Sequence, residues 1–112
     1  MNQITPEIDV VQAQVDAYNA NDLRWFVACY AEDAEIVSGT GHVIARGHEE
    51  IRAAYIPRFA RGVRAEIVHR IQVGEFVIDE ERVAGLGESL VHAVAIYRVV
   101  NGQIVHVTLL RE

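Results

Sequence analysis

Apolar side chains recur every three or four residues in the first half of the chain, which predicts helices. Thr5-Pro6-Glu7 begins the first helix, because it supplies a capping hydroxyl, a proline at the first helical position and an acid in the first turn. Val11, Val15 and Tyr18 form the apolar face of this helix, and Gln14 lies within the same face. A buried amide requires hydrogen-bond partners, so Gln14 is a candidate for a polar role inside the fold.

Two further helices are predicted before residue 62. Asp22 caps the second helix, which we expect to end near Glu32-Asp33. Residue 47 opens the third helix, and Pro57 should kink or end it near the preceding residue. The apolar face of this third helix consists of Ile51, Tyr55 and Phe59.

The apolar period changes from 3.6 to 2 at residue 64, which predicts strands in the second half of the chain. Residues 64–73 form a strand whose apolar face includes His69, and this face should point toward the core. We expect Gly74 to mark a bulge in that strand and Asp79-Glu80-Glu81 to form a turn.

After this turn we expect a short strand that returns along the first, followed by two longer strands. Residues 91–100 are apolar at nearly every position, which indicates a central strand that is covered on both faces. Asn101-Gly102 is a strong hairpin signal, so residues 103–110 should form the returning strand. Two shorter strands, at residues 34–38 and 42–46, flank a glycine turn before the third helix.

Helices followed by long antiparallel strands predict an α+β fold in a single domain that spans residues 1–112. The antiparallel sheet must curl around the three N-terminal helices to bury their apolar faces. A curled sheet that is closed at one end by helices forms a cone with an open mouth.

Composition narrows the classes of partner. The net charge is −6, and all ten basic residues are arginine. A nucleic-acid groove needs a basic patch, and a membrane span needs a long apolar run, so we expect neither kind of partner. Cys29 is the single cysteine, which excludes an internal disulfide and favours a reducing, cytoplasmic location.

Three segments resemble the nuclear-transport-factor-2-like superfamily, and in particular its small ketosteroid-isomerase-like and SnoaL-like proteins. They are VQAQVDAYNANDLRWFVACYAEDAEIV, ARGHEEIRAAY and the Asn101-Gly102 hairpin. The resemblance implies a cone-shaped α+β domain, a homodimer formed through the outer sheet face, and an apolar pocket inside the cone. Enzymes, binding proteins and assembly modules share this fold, so the resemblance does not decide the activity.

The resemblance also identifies positions where the catalytic residues of relatives are missing. The isomerases of the family use a tyrosine on the first helix, an aspartate base at the end of the first strand and a protonated aspartic acid in the sheet, an oxyanion-hole arrangement known from ketosteroid isomerase. These positions correspond to Gln14, Ser38 and Ala95. A neutral serine without an adjacent base cannot remove a carbon-bound proton at pH 7, so steroid isomerisation by the family's mechanism is not expected.

The catalytic residues of two other activities of the family are not expected in this sequence either. The aspartate that the polyketide cyclases carry on the last strand corresponds to Leu109. The epoxide hydrolases use an Asp-Arg-Asp arrangement inside the cone, and we expect none here, because the available acids are predicted at turns and helix ends. Arg111 would reach the cone mouth and bind an anionic ligand if the last strand extends that far.

Several residues are candidates for a site inside the cone. Tyr55 and Tyr30 correspond to tyrosines that some isomerases link to the first helix, so a network with Gln14 could either orient a ligand or only fix the helices together. His69 could act as an acid or base near neutral pH, or it could be a core histidine. The predicted substrate-binding residues are Gln14, Tyr18, Tyr30, Ser38, Tyr55, Phe59 and Ala95.

The sequence therefore predicts a homodimer whose cone binds a small, mostly apolar molecule that carries one or two oxygens. Any catalysis would be proton transfer, with His69 as the residue that moves the proton. No cofactor and no metal are expected, since the histidines do not share one face of the sheet. The alternative is a non-catalytic module for dimerisation or ligand binding.

Overall fold

The computed structural model describes residues 4–112, and their elements follow the α+β order predicted from the sequence. Residues 4–112 form three helices and six strands. In chain order they are α1 (Pro6–Asn19), α2 (Leu23–Ala28), β1 (Tyr30–Ser38), β2 (Val43–Arg46), α3 (Gly47–Ala60), β3 (Arg64–Val73), β4 (Phe76–Ala84), β5 (Val91–Val100) and β6 (Gln103–Arg111).

The N-termini of the first two helices have the caps that the sequence predicts. The Thr5 hydroxyl accepts a hydrogen bond from the backbone N–H of Ile8 at 3.1 Å. The Asp22 carboxylate accepts one from Trp25 N–H at 3.0 Å. These bonds satisfy backbone donors that would otherwise lack a partner in the first turn.

Two helix ends differ from the prediction. Helix α2 ends at Ala28, and strand β1 begins at Tyr30, so the segment that was expected to finish the helix is already part of the sheet. Helix α3 continues through Pro57 to Ala60. Packing of its buried residues Tyr55 and Phe59 against the core offsets the hydrogen bond that the proline lacks.

The six strands form one curled sheet in the order β2-β1-β6-β5-β4-β3. The pairs are antiparallel except that β1 pairs in parallel with β6, so the sheet is mixed rather than wholly antiparallel. Asn101 and Gly102 form the predicted β5–β6 hairpin, with positive φ angles of 52° and 74°. This backbone geometry is typical of the tight turns that an Asn-Gly pair favours.

The predicted turn at residues 79–81 is wrong. The chain turns at Gly74, where φ is +59°, and the three acids lie in the middle of β4. Alternation along this strand therefore directs Asp79 and Glu81 toward the helices, together with Val77 and Val83, while Glu80 lies on the outer face.

The helices pack on the concave face of the sheet. Five aromatic rings contact one another there, with centroid separations from 4.7 to 6.5 Å. They belong to Tyr18, Phe26, Tyr30, Tyr55 and Phe59. Asn19 ties the end of α1 to the sheet, because its side-chain amide bonds both the C=O and the N–H of Ala65.

Candidate functional site

A cavity of about 60 Å³ opens between the helices and the concave face of the sheet. Aromatic and aliphatic side chains form most of its wall, and four side chains with an amide, guanidinium or carboxyl group also line it. Those four are Gln14, Arg58, Glu81 and Arg111. This volume is small, so the closed part of the site accepts only a small group.

Glu81 is the acid of this cavity. Its side chain is partly buried on the concave face, and burial raises the pKa of its carboxyl from the ordinary value of 4.5 to about 7. The charge of Asp79 on the same strand raises the pKa further, whereas the Arg58 guanidinium partly lowers it. A carboxyl with a pKa near 7 can both donate and accept a proton at neutral pH.

Tyrosine side chains surround the acid. Tyr18, Tyr30, Tyr55 and Tyr97 all line the cavity and are nearly fully buried. Burial raises the pKa of Tyr55 to about 12 and raises those of the other three as well. Their hydroxyls therefore stay protonated at neutral pH and can donate hydrogen bonds to a ligand oxygen.

Two buried polar atoms of the cavity lack a well-formed hydrogen-bond partner among residues 4–112. They are Gln14 Oε1 and Tyr18 Oη. Gln14 is 5% exposed, as the sequence predicts for a polar residue on the apolar face of α1. No hydrogen bond within the described chain joins Gln14 to Tyr55 or Tyr30, so the predicted three-residue network is not formed. Gln14 Oε1 is therefore an acceptor at the cavity wall that a hydrogen-bond donor of a ligand could satisfy.

The Arg58 guanidinium lies at the tyrosine side of the cavity. It is 4.9 Å from the centre of the Tyr55 ring, which is the geometry of a cation–π contact. It also lies close enough to Tyr18 to lower the pKa of that hydroxyl and to oppose part of the effect of burial. Arg111, at the end of β6, lines the same cavity, which agrees with the expectation that β6 brings it to the cone mouth.

The structure brings together only part of the predicted substrate-binding set. Gln14, Tyr18, Tyr30 and Tyr55 line the cavity, whereas Ser38, Phe59 and Ala95 do not. Ser38 lies at the end of β1, where its hydroxyl is 2.9 Å from Thr40 Oγ1 and accepts a bond from His42 N–H at 3.2 Å. Phe59 and Ala95 are buried in the core behind the wall.

The prediction that His69 faces the cone is wrong. Strand β3 contains a bulge at Val68, because Ile67 pairs with Glu81 while His69 pairs with Glu80. The extra residue inverts every later side chain of the strand. His69 consequently lies on the outer face, 78% exposed, with Nδ1 2.6 Å from Glu80 Oε1, and it cannot act inside the cone.

The same bulge turns Arg70 inward, where it forms a buried ion pair. Its guanidinium donates two hydrogen bonds to the Asp79 carboxylate, at 2.6 and 2.9 Å, and a third to Gln12 Oε1 at 2.7 Å. Asp79 is fully buried and does not line the cavity. The pair joins the sheet to α1, and Glu81 forms no ion pair with Arg70, so an Asp-Arg-Asp arrangement is not completed.

The outer face carries a separate polar cluster. Glu80 Oε2 lies 2.7 Å from His92 Nε2, in addition to the contact of Glu80 with His69. These bonds lower the pKa of Glu80 and raise that of His92. Within residues 4–112, no group of three or more histidine, cysteine or acidic side chains has the geometry to hold a metal ion.

Sequence reasoning missed Glu81, because three consecutive acids were interpreted as a turn. The available signal was the alternation of Val77, Asp79, Glu81 and Val83, which continues one strand face through the acidic run. The two residues between Val73 and Phe76 would have placed the turn earlier.

A protein-family comparison covers most of the chain. Residues 11–107 match the SnoaL-like domain. The chain belongs to the SnoaL-like family. This agrees with the resemblance drawn from the sequence motifs. Among curated proteins, none matches the sequence significantly.

Solved structures confirm the nuclear-transport-factor-2-like fold of this SnoaL-like chain. An uncharacterized cystatin fold protein from Novosphingobium aromaticivorans is 28% identical, with a TM-score of 0.82, over 96% of this chain and 98% of that one. An LEH-like epoxide hydrolase from M. tuberculosis is 18% identical, with a TM-score of 0.83, over 96% and 83%. A ketosteroid isomerase-like fold protein from Catenulispora acidiphila, in complex with trimethylamine, is 18% identical, with a TM-score of 0.78, over 90% and 83%.

These likenesses establish the fold, and the identity of the last two proteins is too low to carry an activity to this SnoaL-like chain. No helix within residues 4–112 combines the length and apolar character that crossing a bilayer requires.

Proposed function

We propose that the cone binds a small, mostly apolar molecule that carries one or two oxygen-containing groups, and that Glu81 transfers a proton on it. The observation that carries this proposal is the carboxyl of Glu81 at the cavity, with its pKa raised to about 7. Efficient acid–base catalysts have pKa values near the working pH, because both protonation states are then populated. Glu81 takes the role that the sequence assigned to His69.

The reaction that suits this arrangement is removal of a proton next to a carbonyl group. The C–H bond breaks, its proton moves to the Glu81 carboxylate, and the electron pair moves onto the carbonyl oxygen to give an enolate. Return of the proton to the same or a neighbouring carbon completes an exchange or an isomerisation. The Gln14 amide and the Tyr55 hydroxyl, which line the cavity, are the proposed donors to the enolate oxygen.

The size of the cavity limits the substrate. Pockets that enclose drug-sized ligands are usually about 300–1,000 Å³, well above the roughly 60 Å³ of this one. A steroid-sized molecule would require large movements of the aromatic wall. A short aliphatic carbonyl compound fits the closed part and can extend into the mouth.

Hydrogen–deuterium exchange on simple ketones tests this function, whatever the natural substrate is. Small ketones are incubated with the protein in D₂O, and loss of the proton signal next to the carbonyl is followed by NMR. We expect the wild-type protein to accelerate exchange and Glu81→Gln to reduce the acceleration by about 10²–10⁴-fold, the usual contribution of a general acid–base group. Glu80→Gln is the matched control, since its side chain lies on the outer face.

Exchange at the buffer rate with every ketone, or equal activity of wild type and Glu81→Gln, would contradict proton transfer by Glu81. Slower exchange in Glu80→Gln by the same factor would show that the loss reflects general damage to the sheet.

A non-catalytic ligand-binding module is the second candidate. It is supported by the small cavity and by the serine at the position of the family's usual base. This candidate predicts saturable binding of a small ketone, measured by ligand-observed NMR, without any exchange of its protons.

We also propose a homodimer formed through the outer face of the sheet, in a cytoplasmic setting. Ile71, Val73 and Phe76 are large apolar side chains on this face and are 41–63% exposed. Apolar side chains grouped on one sheet face favour coverage by another surface. Light scattering coupled to size-exclusion chromatography should give twice the 12.5 kDa mass of the chain, and Ile71→Glu should return the mass to that of a monomer.

A further inference from the structure

We propose that the natural ligand is a small oxo acid whose carboxylate is held at the cone mouth by Arg58 and Arg111. This inference rests on the proposed function and specifies its substrate class. The two guanidinium groups line the same cavity but come from different layers of the fold. Arg58 lies in the last turn of α3, and Arg111 ends β6.

Both arginines are available to a ligand. Among residues 4–112, neither has a carboxylate oxygen within 4.0 Å. Four other arginines of the chain do pair with an acid, and they are Arg46, Arg70, Arg82 and Arg98. A guanidinium group at the edge of a mostly apolar wall binds a carboxylate strongly, because it can donate two parallel hydrogen bonds.

The strand register places Arg111 and Glu81 in one row across the concave face. Ala93 pairs with Glu81 on one side and with Arg111 on the other. Two strand spacings separate the backbones of the acid and the arginine by about 10 Å. Since Ala93 contributes only a methyl group, the space above it remains for a ligand that reaches both side chains.

A short oxo acid matches this row. Its carboxylate would bind Arg111 and Arg58, and its carbonyl group and the adjacent carbon would lie over Ala93, toward Glu81. The charges of the cavity select for such a ligand, because two full positive charges face one carboxyl that is about half ionised at pH 7. A monoanion offsets most of this excess, whereas a cation would be repelled.

Levulinate and levulinamide provide the matched test, because the amide replaces the carboxylate by a neutral group and keeps the ketone. Both affinity, by ligand-observed NMR titration, and proton exchange next to the ketone are measured on the wild-type protein. We expect levulinate to bind at least about tenfold more tightly than levulinamide and to exchange its protons faster at low concentration. Acetonylphosphonate distinguishes a preference for a carboxylate from one for a more highly charged anion.

Variants then assign the preference to the two arginines. Arg58→Gln and Arg111→Gln should each reduce the levulinate-to-levulinamide ratio, and together they should abolish it. Arg52→Gln is the control, since Arg52 lies on the exposed side of the same helix as Arg58. A ratio that falls equally in the control would overturn the assignment.

The outcomes separate this inference from the function on which it rests. Equal binding and Glu81-dependent exchange of both ketones would overturn the carboxylate site and leave proton transfer standing. Binding of acetonylphosphonate at least tenfold more tightly than levulinate would overturn the assignment to a carboxylate. Neither binding nor exchange with any of the three compounds would overturn both proposals.

Discussion

Replacement of Glu81 by glutamine should change how stability depends on pH, because the wild-type carboxyl binds its proton more tightly in the folded state. The pKa of Glu81 is 4.5 in an ordinary environment and about 7 in the fold, a difference of about 2.5 pH units. Each pH unit corresponds to 1.36 kcal/mol, so full titration costs the folded wild type about 3 kcal/mol.

The direction follows from the order in which the two states ionise. Below pH 4.5 the carboxyl is protonated in both states and costs nothing. Between pH 4.5 and 7 the unfolded chain loses the proton first, so the free energy of unfolding of the wild type falls as pH rises. Above pH 7 both states are ionised, and the full cost persists. Glutamine has nearly the same shape and does not ionise.

Urea denaturation of both proteins at pH values from 4 to 8 measures this effect. The free energy of unfolding of Glu81→Gln minus that of the wild type should rise by about 3 kcal/mol over this range. Titrating groups that do not interact with Glu81 behave alike in the two proteins and cancel in the difference. Glu80→Gln removes a carboxyl from the outer face and should not reproduce this rise, since hydrogen bonds from His69 and His92 lower the pKa of Glu80 instead of raising it. A difference between Glu81→Gln and wild type that does not vary with pH would refute the assignment of a raised pKa.

Four further outcomes are expected. Arg70→Met should lower the free energy of unfolding by about 3–5 kcal/mol in urea denaturation, because it leaves Asp79 buried and unpaired, and a loss below about 1 kcal/mol would contradict this. Tyr18→Phe should change stability by less than about 1 kcal/mol, since the hydroxyl lacks a well-formed partner, whereas a loss above about 2 kcal/mol would reveal one. His69→Ala should leave ketone proton exchange unchanged, and a loss as large as that of Glu81→Gln would place His69 in the site. The affinity for levulinate should fall as pH rises through 7, because a bound anion favours the protonated form of Glu81, and the affinity of Glu81→Gln should not depend on pH. A wild-type affinity that does not vary with pH would show that the bound carboxylate and Glu81 do not interact.

Local signals predicted much of this fold. Thr5 and Asp22 cap their helices through short-range hydrogen bonds, so the residues that decide the helix starts are adjacent in sequence. The Asn101-Gly102 turn is also local, since both residues adopt positive φ angles. Gln14 was identified as a buried polar residue because helical periodicity alone fixes the face on which it lies.

The site was harder to predict than the fold, because the residues that line it depend on which side chains of each strand point inward. One extra residue at Val68 reverses the second half of β3, so that His69 points outward and Arg70 inward. Nothing in the alternating apolar pattern of that strand indicates the bulge. The bulge depends on how β3 pairs with β4, and the turn that sets this pairing was itself predicted at the wrong place, which also concealed Glu81.

Glu81 lies on a different strand from the family's usual base, so a proton-transfer site would lie at a different wall of the cone. The family's usual base position, Ser38, ends β1, and two strands lie between β1 and β4 in the sheet. Ser38 pairs with Leu109, whereas Glu81 lies in the row of Ala93 and Arg111, so the two positions belong to different rows as well as different strands of the sheet. Arg111 on β6 and Arg58 on α3 line the cavity that Glu81 reaches, whereas Ser38 does not line it. The polar groups of this cone therefore favour a ligand bound across Ala93 toward β4. The loss of the usual base does not by itself make the protein inactive.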